Sequence, residues 1–196
     1  MTKSLLTLFV ALLALCPTAV NAAGSTQRAI FAGGCFWCME AEFSDTQGVS
    51  SVVSGYIGGH LKNPSYEAVS SGASGHTEAV EITYDPSKVS FEKLLSIFWS
   101  NIDPTDEGGQ FADRGSQYRT GIFYTDEKQH VLAEESKKAI AAKLRRKLYT
   151  EITPAGEFYP AEDYHQDYYK KNPIRYNTYK YGSGRVSALK GLWNKP

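Results

Sequence analysis

The 196-residue sequence is poor in cysteine, has no excess of charge, and carries no long apolar run past its first two dozen residues. Its cysteines are Cys16, Cys35 and Cys38. A small secreted fold stapled by disulfides carries more of them, more widely spaced. A four-ligand zinc site also needs more Cys or His at suitable spacing. His60, His76, His130 and His165 all lie away in sequence from the close pair Cys35 and Cys38. Lys plus Arg and Asp plus Glu balance at 21 each, which argues against nucleic acid as the main partner. The one basic cluster, Lys143, Arg145, Arg146 and Lys147, falls late in an expected helix, where cations suit the dipole.

The apolar run stands at the start. Residues 1–23, MTKSLLTLFVALLALCPTAVNAA, open with Lys3, are apolar from Leu5 to Leu15 apart from Thr7, break at Pro17 and end in small residues. That is the layout of a secretory signal peptide, with cleavage expected near Ala22 or Ala23. The run is too short for a stable membrane span, which needs about 20 apolar residues. Lipid attachment at Cys16 is disfavoured because Leu15 is large for the residue before a modified cysteine. Export to a periplasm or other secretory route is expected, with residues 24–196 forming one domain.

Without the leader, only Cys35 and Cys38 remain, in GGCFWC. A bridge across CxxC closes a tiny loop and restrains the unfolded chain little. Redox chemistry is the remaining use. Residues 27–32 read as a strand entering a glycine turn, and residues 35–43 as a helix. Residues 49–57 look extended, 60–75 loop-like, and 78–84 alternate as a strand. Residues 90–99 predict an amphipathic helix capped by Ser90. A long polar loop follows over 101–118, then a strand over 119–124 and a charged helix over 126–148. A strand over 152–158, a helix over 161–171 and an irregular tyrosine-rich tail complete the chain. Helices and strands mix without a regular βαβα repeat, so the expected class is α+β, with helices on a mixed, mostly antiparallel sheet.

Cys35 then falls at the first turn of a helix, where free N–H groups and the dipole favour a thiolate. Cys38 lies one turn on. Cys35 is therefore the expected nucleophile and Cys38 the expected resolver. Phe36 and Trp37 fit two readings: ordinary core residues, or an apolar floor suited to a methyl group beside sulfur.

The segments GGCFWCMEAEF, NPSYEAVSSGASGHTEAVEITYDP, DRGSQYRTGIFY and EDYHQDYY, in this order, resemble the A-type peptide methionine sulfoxide reductases from about Ala29 to about Lys180. The resemblance implies a two-layer α/β sandwich with a ferredoxin-like core. It implies reduction of the S epimer of methionine sulfoxide, free or in oxidised proteins. It needs no bound cofactor, only an external dithiol, thioredoxin or a thioredoxin-like domain. By the same resemblance Cys35 is the nucleophile, Phe36 and Trp37 the methyl pocket, Glu78 the acid, Tyr66 and Tyr118 the sulfoxide-binding phenols, and Asp113 a loop residue holding Tyr118. His165 and Gln166 read as hydrogen-bonded supports. A monomer is the expected state.

One departure stands out. Many members of that family carry resolving cysteines near the C-terminus, and the tail YKYGSGRVSALKGLWNKP has none. Either Cys38 resolves or an external thiol attacks Cys35 directly. Two other classes fit parts of the sequence. A general dithiol–disulfide oxidoreductase would use CxxC at a helix start but would not need Glu78 and two tyrosines. A secreted binding domain would not need Cys35 at all.

Overall fold

The computed structural model describes residues 25–193. The expected leader, including Cys16, lies outside the described residues. The continuous apolar run AIFA in QRAIFAG makes β1, Gln27–Gly33, buried on both sides. Ala29 and Phe31 join a large core on one face, and Ile30 and Ala32 a small cluster on the other. Such two-sided burial belongs to a central strand.

The chain continues through α1 (Phe36–Ser44), β2 (Val49–Ile57), α2 (Tyr66–Ser70), β3 (Thr77–Tyr84) and α3 (Phe91–Ser100). A ribbon of β4 (Gly109–Gln110) and β5 (Asp113–Arg114) follows, then a 3₁₀ turn at Ser116–Tyr118, β6 (Thr120–Tyr124) and α4 (Glu127–Leu144). The last elements are β7 (Glu151–Pro154), β8 (Tyr159–Pro160), α5 (Tyr168–Lys171), α6 (Pro173–Gly182) and α7 (Arg185–Trp193).

The sheet order is β7-β6-β1-β3-β2-β8. Every pairing is antiparallel except β6 with β7. Its four central strands, β6-β1-β3-β2, come from two split βαβ units, β1-α1-β2 and β3-α3-β6, which is the ferredoxin-like plan. Residues of α1, α3 and α4 pack on the large core, where Phe31 stacks between Phe43, Phe91 and Phe98 at 5.0–5.9 Å. This is the expected α+β class with a mostly antiparallel sheet.

Several local expectations are corrected. The tail is not irregular: it forms α6 and α7, and α7 returns a buried Arg185 to the centre of the fold. The helix expected over 161–171 shrinks to α5, and Asp167 takes φ +52° before it. The strand expected over 152–158 ends at Pro154 in β7, and the two-residue β8 lies past its expected end. Helix α4 stops at Leu144, where Arg145 turns left-handed at φ +53°, so Arg146 and Lys147 lie past its end. The expected loops at 60–75 and 101–118 each contain short ordered elements. Ser90 caps α3 as expected, its hydroxyl accepting from the Lys93 N–H at 3.2 Å.

Candidate active site

At the carboxyl end of β1 the chain turns through Gly34 at φ +79°. A Cβ there would sit 2.6 Å from the Gln110 Cβ, so both the conformation and the space require glycine. Cys35 is the N-cap of α1, and its carbonyl accepts from the Cys38 and Met39 N–H groups at 3.2 and 3.3 Å. The two thiols are free and hydrogen-bonded to each other. Cys35 is 6% exposed and Cys38 fully buried.

Cys35 opens into a small cavity of about 100 Å³ lined by Phe36, Trp37, Tyr66, Glu78, Asp113, Tyr118 and Tyr179. Cys35 and the six other cavity residues singled out from the sequence, Phe36, Trp37, Tyr66, Glu78, Asp113 and Tyr118, therefore meet in one place; Cys38 does not line it. A larger apolar groove of about 580 Å³ runs between α3 and α4, lined by Leu95, Trp99, Leu132, Ile140 and Trp193. No cysteine lines it, so chemistry, not size, picks the smaller cavity.

Phe36 and Trp37 combine the two roles open to them. Phe36 is 1% exposed and part of the core, yet it lines the cavity. Trp37 stacks on Tyr168 at 3.8 Å and donates from Nε1 to His165 Nδ1 at 3.0 Å. The His165 ring packs 4.9 Å from Phe36 and 4.5 Å from Tyr66. Burial lowers its proton affinity, so a neutral imidazole accepts the indole proton. His165 is thus the expected support. Gln166 supports the edge of β2 instead, bonding both Ser54 N and Ser54 O at 2.9 Å.

Glu78 is the second residue of β3, not its solvated tip, and is 3% exposed. Its Oε2 accepts the Phe36 N–H at 3.0 Å. Burial pushes its carboxyl up to about 8, and Asp113 and Cys38 add to that against the Phe36 hydrogen bond. At neutral pH it is therefore mostly a protonated acid. Burial, with Glu78 and Cys35 nearby, pushes Tyr66 up to about 12, and burial also raises Tyr118. Both phenols remain donors. Among the described residues neither hydroxyl has a protein hydrogen-bond partner.

Tyr66 opens α2, and its N–H donates to Glu162 Oε1 at 2.9 Å. The other Glu162 oxygen accepts from Tyr56 OH at 2.8 Å. Thr77 Oγ1 donates to Gln117 O at 3.1 Å, which ties the turn carrying Tyr118 to the start of β3. His76 precedes that strand and points elsewhere, its ring bonded to Gly59 N and Leu61 O at 3.1 and 2.7 Å.

Two expectations fail at the site. The helix start does not lower the Cys35 thiol. Burial raises it, helped by Cys38 and Glu78, and the Phe36 N–H that could have faced the sulfur is taken by Glu78. Cys38 is lowered instead, by the Cys35 thiol hydrogen bond and by Arg185 and Lys180. Asp113 does not bond Tyr118. It accepts a hydrogen bond from Tyr179 OH, and Tyr179 itself lines the cavity. Neither Tyr179 nor Glu162 was singled out from the sequence. Glu162 sits in EDYHQDYY, where the spacing of three to His165 was a usable signal; Tyr179 had none.

A protonated acid, two free phenols and an aromatic floor around one thiol suit reduction of a polar S=O group that bears a methyl. The family model described as peptide methionine sulfoxide reductase matches residues 27–196. The chain belongs to this family. Peptide methionine sulfoxide reductase MsrA of Bacillus licheniformis is 54% identical over 171 residues, covering 86% of this chain and 94% of the relative. Among solved structures, methionine sulfoxide reductase A of Corynebacterium diphtheriae is 36% identical with a TM-score of 0.73, covering 79% of this chain and 78% of that one. Mxr1 of Saccharomyces cerevisiae in reduced form is 29% identical with a TM-score of 0.72, covering 76% of this chain and 86% of that one. A structure of Mxr1 in complex with Trx2 matches at 21% identity and a TM-score of 0.54, which carries the fold alone. The chain is thus an MsrA-type enzyme that reduces methionine sulfoxide to methionine.

Proposed function

We propose that this reductase acts on the S epimer of methionine sulfoxide, free or in exported proteins, through a relay from Cys35 to Cys38. The observation that carries the reading is the convergence of Cys35, Glu78, Tyr66 and Tyr118 on one cavity floored by Phe36 and Trp37. The substrate methyl rests on the aromatic floor. Tyr66, Tyr118 and protonated Glu78 hydrogen-bond the sulfoxide oxygen, which draws electron density from its sulfur. Cys35 attacks that sulfur, and the oxygen passes to Cys35 as methionine leaves. The products are methionine and a Cys35 sulfenic acid. Because burial holds the Cys35 proton at rest, that proton must move as attack occurs, and the sulfoxide oxygen is its natural acceptor.

Cys38 then closes a disulfide with Cys35, and an external dithiol opens it by exchange. Thioredoxin or a thioredoxin-like domain is the proposed reductant; Mxr1, whose reduced form is 29% identical to this chain, has been solved in complex with Trx2. Export rests on the leader pattern of residues 1–23, with a periplasm as first choice. There the reductant would be a thioredoxin-like domain fed from across the membrane.

A cavity that places methyl floor, oxygen donors and nucleophile around one sulfur reads chirality. With separated epimers and a dithiol reductant, methionine should form from the S epimer, while the R epimer is consumed at less than about 1% of that rate, a difference of about 2.7 kcal/mol or more. Equal consumption of both would sink the proposed binding mode. Turnover of scrambled disulfides in place of either epimer would favour the general dithiol class.

A further inference from the structure

We propose that Glu162 is a positioning residue whose one carboxylate holds the Tyr66 phenol in register with the Phe36–Trp37 floor, so that the oxygen and the methyl of one substrate are read together. The proposal deepens the binding mode above and rests on it, since Tyr66 must take the sulfoxide oxygen and the floor the methyl.

Tyr66 opens the five-residue helix α2. The first N–H groups of a helix have no partner within it. That of Tyr66 donates to Glu162 Oε1 at 2.9 Å. The far end of α2 is tied separately: Gln117 Nε2 donates to Ser70 O at 2.8 Å, and Val69 is buried in the large core. Glu162 ties the end that carries the phenol.

The other oxygen of Glu162 reaches the floor. Oε2 accepts from Tyr56 OH at 2.8 Å, and the Tyr56 ring lies 5.9 Å from that of Phe36. The same oxygen lies 4.0 Å from His165 Nε2. An indole N–H only donates, so His165 Nδ1, which accepts from Trp37 at 3.0 Å, is unprotonated. The neutral ring then carries its proton on Nε2. His165 is 2% exposed, and among the described residues its Nε2 has no hydrogen-bond partner. A buried donor left without one is costly. A closure of about 1 Å would bring it to Glu162 and fix the ring that holds the indole. Burial works against charge on Glu162, but its own N–H, that of Tyr66 and the Tyr56 hydroxyl outweigh it and lower the carboxyl below its ordinary value. An ionised carboxylate only accepts, and it has lone pairs for all these donors.

Trp37, Tyr56 and Tyr66 stand on α1, β2 and α2, and His165 on the turn before α5. Nothing in the covalent chain sets the oxygen donor against the methyl floor. One carboxylate touching both sides does. Chirality at sulfur is read from the relative placement of oxygen and methyl, so a Tyr66 loosened from the floor should also meet the oxygen of the R epimer.

The test is a double-mutant cycle of Glu162→Ala with Tyr66→Phe, read as kcat/KM for each separated epimer with a dithiol reductant. Glu162→Ala should lower kcat/KM for the S epimer by about 10- to 100-fold, the scale of a small misplacement, and lower the S-to-R ratio by about tenfold. In the Tyr66→Phe background the same change should cost less than about threefold, because the hydroxyl it positions is gone. Glu162→Gln, with the same reach and no charge, should keep most of the ratio. Glu162→Asp, charged but one carbon short of bridging both sides, should not. A wild-type epimer ratio in Glu162→Ala, or a loss that simply multiplies with that of Tyr66→Phe, would overturn the proposal and leave Glu162 a tie for stability alone. Should Ala fail to fold, a wild-type ratio in Asp overturns it equally. A Tyr66→Phe enzyme as fast as the wild type on the S epimer would instead sink the binding mode itself, and the proposal with it.

Discussion

Cys38→Ser is expected to release one methionine per chain and then stall. The first step needs Cys35, Glu78 and the phenols, none of which this change removes. The second step loses its nucleophile. Cys38 reaches Cys35 within one helical turn, and groups placed intramolecularly act at effective concentrations of ~10⁵ M or more when well oriented. An external protein thiol cannot match that, and Cys35 is only 6% exposed. Steady-state turnover with a protein dithiol should therefore fall by about 10²-fold or more. Rapid-quench measurement of methionine against time separates the burst from cycling. Undiminished cycling would leave the reduction chemistry in place and remove Cys38 from it.

Glu78→Gln should cost about 10²- to 10³-fold in kcat, within the usual range for a positioned acid. Gln can still donate an N–H to the sulfoxide oxygen but cannot transfer a proton. The wild-type rate should fall as pH rises through about 8, where burial has placed the Glu78 carboxyl, and that limb should be missing in the variant. Stability carries the same signature. The folded value lies above the ordinary 4.5, so the folded chain holds a proton that the unfolded chain gives up between 4.5 and about 8. This contribution is complete below the ordinary carboxyl range and is lost as pH rises through about 8. Glu78→Gln should flatten it. Denaturant midpoints for both proteins from pH 5 to pH 9 would read the difference.

The core strands were legible because their patterns are strong. QRAIFA and EAVEITY became β1 and β3, and SFEKLLSIFW became α3 with its Ser90 cap. The cavity residues were legible through ordered motifs, since nothing local marks Tyr66 or Tyr118 among 13 tyrosines. The tail was not legible. PIRYNTYKYG has no clean apolar stripe, and α6 buries Tyr176 by packing near Cys38 and Tyr168 instead. Tyr179 and Arg185 reach the site through that tertiary packing alone. The acidity of Cys35 was misread for a related reason. A helix start predicts a stabilised thiolate, but the sheet places Glu78 on the Phe36 N–H and buries the sulfur.

The most direct test of the relay is the species left on Cys35 after one equivalent of the S epimer, read by mass spectrometry with a carbon nucleophile present to trap sulfenic acids. The relay predicts the trapped adduct on Cys35 in Cys38→Ser, and a Cys35–Cys38 disulfide with no adduct in the wild type. An adduct on Cys38, or methionine formed with Cys35 still a free thiol, would contradict it.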